Sequence, residues 1–269
     1  MVRDKDVVYK EEKIRRIEGK KMNVAIILAG GTGTRVGAGR PKQFIEVLGK
    51  PVLAYTCEIF QENKRIDAIE VVCHHDWMDY CKEMVEKYEL TKLKWIVPGG
   101  DTFQDSVMNG KRNLEGLIGK ELSLDDNVYI QYGGAPFTSQ KIVNAVIDMT
   151  EERGSAVTGT PCYQLMALKN DGDDTRTSNW IDRDKYTQIA CPYGFRFSYL
   201  LDVYKRAEEQ GLIDKIEPHT TSLMFALGDT INLAYGDQTN IKITTKEDLD
   251  MFVGYVLMKD KLTKENHNE

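Results

Sequence analysis

The sequence predicts an α/β fold: a doubly wound, mostly parallel, Rossmann-like sheet from which one β-hairpin arm protrudes. Three observations carry that expectation. Short apolar runs of strand length alternate with stretches of helical spacing along most of the chain. A glycine-rich stretch follows the first apolar run directly, where a parallel sheet offers its strand ends to a ligand. Residues 161–191 abandon the alternation for short polar-apolar pieces around a turn signal.

Residues 24–28, 68–73, 93–97, 128–132, 156–160 and 231–235 read as strands, mostly apolar throughout, as strands covered on both faces are. Between them, residues 52–61, 77–88, 103–117, 140–152, 196–209 and 221–227 carry helical spacing. In residues 161–191 the turn Asn170-Asp171-Gly172-Asp173-Asp174 separates Met166-Ala167-Leu168 from Trp180-Ile181, the pattern of a hairpin leaving the sheet. An exposed arm carrying Trp180 calls for a partner surface, most simply a second subunit in a homodimer. Residues 1–21, with thirteen charged side chains, form a charged extension, and Met22 reads as an alternative start. Residues 22–258 form one domain that includes the arm, and residues 259–269 a polar tail, in which His267 carries no signal.

A chain of 269 residues with 41% hydrophobic content is long enough for a full core. Its net charge of −6 argues against a nucleic-acid or anionic-membrane surface, so any phosphate recognition is local. No apolar run reaches a membrane span and the N-terminus is charged rather than signal-like. The cysteines Cys57, Cys73, Cys81, Cys162 and Cys191 are odd in number and lack C-x-x-C spacing, the usage of a reduced, cytoplasmic protein.

The run Ala29-Gly30-Gly31-Thr32-Gly33-Thr34-Arg35, then Arg40-Pro41-Lys42-Gln43-Phe44, has the chemistry of a polyphosphate grip. Glycines let backbone N–H groups approach phosphate oxygens, and Arg35 and Lys42 supply charge. The dinucleotide fingerprint fails because its third glycine position holds Val36, and the P-loop fails because Lys42 lies between Pro41 and Gln43. A solvated Gly-rich turn is the plain alternative. Cys73, His74, His75, Asp76 and Cys81 are metal-ligand types, but adjacent histidines on an extended chain face opposite ways, so the expectation is no metal site and a helix capped by Asp76.

Residues 25–35 with Pro41-Lys42-Gln43, Pro98-Gly99-Gly100-Asp101, Asp105-Ser106-Val107, Asp182-Arg183 and the run from Gly236 through Asn240-Ile241-Lys242 to Leu249 occur in an order that resembles one family. It is that of the cytidylyltransferases making CDP-methylerythritol, together with the related ribitol-5-phosphate enzymes. The likeness covers about residues 22 to 258. It implies a CTP site in which Ala29, Gly30, Gly31, Gly33 and Thr34 wrap the nucleotide, with Gly133 also on the nucleotide side. Arg35 and Lys42 would hold the phosphates, and Gly100, Asp101 and Ser106 the cytosine. Lys242 would be a second catalytic lysine, and Arg183 an acceptor-phosphate ligand delivered across a dimer. The implied chemistry is attack of an acceptor phosphate oxygen on the α-phosphorus of CTP with loss of pyrophosphate, aided by Mg²⁺ bound mainly through the triphosphate. Plain structural alternatives exist: Gly99-Gly100-Asp101 as a turn and helix cap, Lys242 as a solvated strand residue.

The departures concern the acceptor. Where the family carries His-Asp-small-small-Arg-Pro, this chain has Gln131-Tyr132-Gly133-Gly134-Ala135-Pro136; a Thr-Asp-acid run is replaced by Pro218-His219-Thr220; and an acceptor-contacting threonine falls on Leu165. Losing one arginine–phosphate contact costs on the order of 1.5–3 kcal/mol. The expectation is therefore a cytidylyltransferase for another phosphorylated alcohol or a phosphonate, with Tyr132 and His219 in the altered acceptor site. His219 also admits a purely structural role. The alternatives are a catalytically silent nucleotide-binding subunit, an ordinary methylerythritol or ribitol phosphate enzyme and, last, an NAD-dependent oxidoreductase.

Overall fold

The computed structural model describes residues 20–31, 39–173, 175–217 and 219–266. Its strands are β1 (Asn23–Ala29), β2 (Glu46–Val47), β3 (Lys50–Pro51), β4 (Ala68–Cys73), β5 (Leu93–Pro98), β6 (Asn127–Tyr132), β7 (Ser155–Pro161), β8 (Met166–Leu168), β9 (Asn179–Ile181), β10 (Thr187–Arg196) and β11 (Leu233–Tyr235). The helices are α1 (Val52–Glu62), α2 (Met78–Lys87), α3 (Phe103–Glu115), α4 (Gln140–Arg153), α5 (Phe197–Glu209), α6 (Thr220–Ala226) and α7 (Lys246–Asn266).

Seven strands form one sheet in the order β11-β7-β10-β6-β1-β4-β5. β1 pairs in parallel with β4 and β6, β4 with β5 and β7 with β11, while β10 runs antiparallel between β6 and β7. The chain builds outward from β1 through β4 to β5, then crosses back to lay β6 on the other side of β1. That reversal leaves a crevice beyond the carboxyl ends of β1 and β6, the place where such sheets take ligands.

Alternation along β1 explains the double winding. Val24, Ile26 and Leu28 enter one core with Val107 and Leu114 of α3 and Phe197, Leu200 and Val203 of α5. Ala25, Ile27 and Ala29 enter the other with Leu53 and Phe60 of α1, Met84 of α2 and Val146 of α4. Successive strand side chains point to opposite faces, so an all-apolar strand must be covered twice. A third cluster joins Phe252 and Val256 of α7 to Val47, Val52, Phe137 and Ile243.

Three expectations are corrected. Residues 187–191 belong to the main sheet rather than the arm, which ends near residue 186; β10 escapes a sequence reading because Pro192, which cannot donate to a ladder, sits inside it at the register shift between Ala190 and Tyr193. Residues 259–266 of the presumed tail are the last turns of α7. Asp76 does not cap α2: residues 75–77 form a 3₁₀ turn in which the His74 ring accepts from the Asp76 N–H, and Trp77 precedes α2. Because that turn is not extended, the His74 and His75 rings stack at 4.5 Å instead of diverging. The arm hairpin itself is present as β8 and β9.

Candidate functional site

Two cavities open at the crevice. The first, about 380 Å³, is lined by the β1 end (Leu28, Gly30, Gly31), Lys42 and Gln43, His74 and His75 after β4, residues 99–103 with Ser106 after β5, and Tyr132, Gly134 and Lys242. The second, about 560 Å³, lies among β10, α6 and residues 237–242. Tyr132 and Lys242 are the two residues common to both walls.

Backbone approach shapes the first chamber. A Cβ on Gly30 would stand 2.8 Å from Ser106 Oγ, and one on Gly99 would stand 3.0 Å from Gly30 Cα. Only glycines let the β1 loop and the β5 loop come this close. Gln43, buried, donates to the carbonyls of Ala29 and Gly31 at 2.7 Å each and so ties the glycine loop to the Lys42 segment. Ser106 is 4% exposed and its hydroxyl accepts from the Gly100 N–H at 3.2 Å, leaving its own proton to donate. The helix behind it starts with a reciprocal cap, Thr102 Oγ1 accepting from Asp105 N and Asp105 Oδ2 from Thr102 N. The cap is thus Thr102, and Asp101 stays on the chamber wall.

Lys42 reaches the same wall from a 3₁₀ turn. Its ammonium donates to Ile243 O at 2.5 Å, and a Cβ on Gly134 would meet its Cε at 3.0 Å. The neighbouring Lys242 places Nζ 3.6 Å from the centre of the Tyr132 ring. Its segment is stitched in place by Ile243 N–H donating to Gly134 O, and by Asn240, which accepts from Thr138 Oγ1 and donates to Cys191 O. Two lysines from residues two hundred positions apart therefore meet at one strand end.

In the second chamber the Tyr132 hydroxyl lies 3.2 Å from that of Tyr193 and 3.1 Å from His219 Nδ1. Burial raises the Tyr132 phenol far above its ordinary value, so it stays protonated. Burial also lowers His219 from 6.5, helped by Lys242 and opposed by Glu217, which keeps the imidazole neutral beside the tyrosine hydroxyl.

Most expected site residues converge here. Gly30, Gly31, Lys42, Gly100, Asp101, Ser106, Tyr132 and Lys242 line the first chamber, and His219 the second. Gly33, Thr34 and Arg35 fall outside the described residues. Two expected nucleotide-side residues, Ala29 and Gly133, do not line the chamber. Ala29 is core, its carbonyl taken by Gln43 and His74 N, and Gly133 is packed with its N–H on Leu28 O and its carbonyl on Thr56; Gly134 faces the chamber instead. Arg183 sits on the arm, bonded to Tyr163 O, and lines neither chamber of its own chain; Leu165 is 77% exposed on the same arm. Gln43, Asn240 and Gly134 have no role in the sequence reading, since Asn240 and Gly134 act through partners remote in the chain and Gln43 through a loop that only the fold brings back against it.

A switch-point crevice with a glycine loop, two converging lysines and an adjoining second chamber defines a nucleotidyltransferase of the Rossmann-like type. Residues 23–257 match the family of 2-C-methyl-D-erythritol 4-phosphate cytidylyltransferase. A ribitol-5-phosphate cytidylyltransferase of Streptococcus agalactiae is 38% identical over 233 residues, 86% of this chain and 93% of that protein. A 2-C-methyl-D-erythritol 4-phosphate cytidylyltransferase of Clostridium acetobutylicum is 35% identical over 229 residues, 85% and 94% of the two chains. In three dimensions the chain superposes on 4-diphosphocytidyl-2C-methyl-D-erythritol synthase from Anaerococcus prevotii with a TM-score of 0.70 at 24% identity, covering 88% of this chain and 99% of that one, a likeness of fold. The chain belongs to the 2-C-methyl-D-erythritol 4-phosphate cytidylyltransferase family.

Proposed function

We propose that this protein transfers CMP from CTP to the phosphate of a polyol phosphate other than methylerythritol phosphate, releasing pyrophosphate. The first chamber is the donor site and the second the acceptor site. The observation that carries the reading is their meeting at Lys242 and Tyr132, because an acceptor phosphate and a nucleotide α-phosphate must come together at one point. An acceptor phosphate oxygen bonds to the α-phosphorus as its bond to the bridging oxygen breaks, and pyrophosphate leaves with that oxygen. Lys42, Lys242 and Arg35 neutralise the charge that spreads over the transferring group. No protein nucleophile is required.

The donor set fits Mg²⁺ held chiefly by the nucleotide. Among the described lining residues of the donor chamber Asp101 is the single carboxylate, and Mg²⁺ commonly takes one or two carboxylates with substrate phosphates and water. Bound there, Mg²⁺ would offset triphosphate charge. The nucleotide's own phosphates would hold it, with Asp101 left to the base.

The acceptor wall favours hydroxyls. Thr160, Gln188, Thr221, Ser222, Gln238 and Asn240 are neutral hydrogen-bonding groups, and Asp237 and Glu217 can accept from hydroxyls. Ala135, where the family places an arginine, contributes no phosphate contact. That wall, and relatives named for ribitol 5-phosphate, support a pentitol-type acceptor. A phosphonate bearing hydroxyls fits the same wall.

The arm supports a homodimer in which Arg183 serves the partner's acceptor site. Leu165, Leu168 and Trp180 are 77%, 54% and 70% exposed, an apolar patch that a second copy would cover. Among the described residues no helix is long and apolar enough to cross a membrane, and all five cysteines are free and buried, which suits a reducing, cytoplasmic setting.

The test is pyrophosphate release from each of the four nucleoside triphosphates with Mg²⁺, across ribitol 5-phosphate, methylerythritol phosphate, other polyol phosphates, choline phosphate and phosphonates. Turnover with CTP and a polyol phosphate supports the reading. CTP binding with no turnover on any acceptor would replace it with a silent nucleotide-binding subunit, a reading that Tyr132 in place of the family's aspartate favours. For the arm, sedimentation of the intact protein against a deletion of residues 170–176 decides: a monomeric parent removes the cross-subunit role of Arg183.

A further inference from the structure

We infer that Tyr132 is the positioning residue for Lys242: its ring face, in place of a carboxylate, holds the lysine ammonium at the junction of the two chambers. The inference rests on the donor and acceptor reading above. Lys242 Nζ stands 3.6 Å from the ring centre, well inside the distance at which an aromatic face attracts a cation. The ring is itself fixed. Phe103 packs against it at 5.3 Å, Tyr193 and His219 approach its edge side at 6.3 and 6.2 Å, and its hydroxyl is shared by Tyr193 and His219 Nδ1. Buried at the end of β6, it has no room to swing away.

The choice of a π face has an electrostatic consequence. A carboxylate at this position would hold the lysine by a full negative charge, set where two anionic phosphates must approach. A ring quadrupole attracts the same ammonium without that charge, so the local field stays positive. The field is visible in the neighbours: Lys242 adds to the lowering of His219 and acts to lower buried Cys191. Tyr132 acts through Lys242, which touches the reacting phosphates; the phenol hydroxyl serves to orient the ring. The ring should therefore matter more than its hydroxyl.

Three variants separate those parts: Tyr132→Phe keeps the face, Tyr132→Leu removes it, and Tyr132→Leu with Lys242→Ala removes both partners. Two readouts are taken on the intact protein. The first is independent of turnover: the proton resonance of the Lys242 ε-methylene in lysine-labelled protein, assigned by its loss in Lys242→Arg. A ring-current upfield shift is expected in the parent and in Tyr132→Phe, and its absence in Tyr132→Leu. The second is kinetic. Tyr132→Leu is expected to lower kcat roughly tenfold, with the CTP dissociation constant held within about threefold, while Tyr132→Phe retains most of kcat. In the Lys242→Ala background the leucine substitution should cost nothing further. A parent without the upfield shift overturns the inference even if the enzyme turns over. So does a Tyr132→Leu protein with full kcat, or a Phe variant as slow as the Leu variant. A parent that shows the shift but turns over no acceptor sinks the cytidylyltransferase reading while leaving the lysine–ring contact standing.

Discussion

The first chamber, proposed as the donor site, is walled largely by backbone and by cations, whereas the second, proposed as the acceptor site, is walled by side chains, most of them neutral. Gly30, Gly31, Gly99, Gly100 and Gly134 bring main chain to the first, with Lys42 and Lys242 against one carboxylate, Asp101. The second has Asp237 and Glu217 against Lys242, with neutral hydroxyl and amide groups around them. A polyphosphate needs charge and close N–H groups, and these come from a few short motifs. A polyol needs a pattern of donors and acceptors, and that pattern is assembled from β7, β10, α6 and residues 237–242.

Lys42→Ala is expected to break the donor side most severely. Transition-state charge loses one of its ammonium partners, so pyrophosphate release should fall on the order of a hundredfold to a thousandfold, with the thermal midpoint little changed. Full activity would remove the phosphate grip from the assignment. Gly30→Ala comes next. Its Cβ would press on Ser106 Oγ at 2.8 Å, so CTP affinity measured by calorimetry should weaken roughly tenfold while the acceptor KM holds. An equal loss on both substrates would mean that the chambers are not separable.

His219 tests the acceptor side by pH. Burial lowers its pKa from 6.5, so the ring paired with the Tyr132 hydroxyl stays neutral at neutral pH, and protonation makes Nδ1 an obligate donor that turns the Tyr132 proton toward Tyr193. Acceptor kcat/KM should be flat above neutrality and decline only below the ordinary histidine range, with CTP affinity unaffected by this group. The unfolded chain takes up that proton first, so stability also falls as the pH drops below about 6.5. His219→Gln should flatten the profile by a fewfold at most; an unchanged profile would leave the histidine a packing residue.

The smallest expected effect on activity lies behind the donor wall. Glu70 on β4 is fully buried, bonded to Asn113 of α3, and pushed by burial up to about 8. Because its folded value exceeds its unfolded one, the folded state holds this proton more tightly, and stability falls as pH rises from about 4.5 toward 8. Glu70→Gln should abolish that slope, raising stability at pH 8 by about 2 kcal/mol relative to pH 5, with kcat unchanged. A slope that survives the substitution assigns it elsewhere.

The parallel strands are legible because each is a short, mostly apolar run, broken only by single residues such as Glu70 and Gln131, and the glycine loop because its residues are contiguous. β10 is not, since Pro192 and Gly194 contradict strand patterning and only the bulge between Ala190 and Tyr193 reconciles them. The stacking of His74 on His75 is not legible in the sequence, because period-two alternation fails where the backbone turns.

What the sequence by itself determined is the chemistry available: apolar runs that demand two covered faces, a glycine-rich loop at a strand end, and lysines to set beside it. What only the tertiary structure decided is which of these meet. Gln43 clamps the glycine loop, Ile243 receives the Lys42 ammonium, and Lys242 lies over Tyr132, the last two pairs separated in the chain by more than a hundred residues. Contacts of that span are set by the crossover that places β6 beside β1 and by the α7 packing that seats Ile243, and no local pattern encodes either.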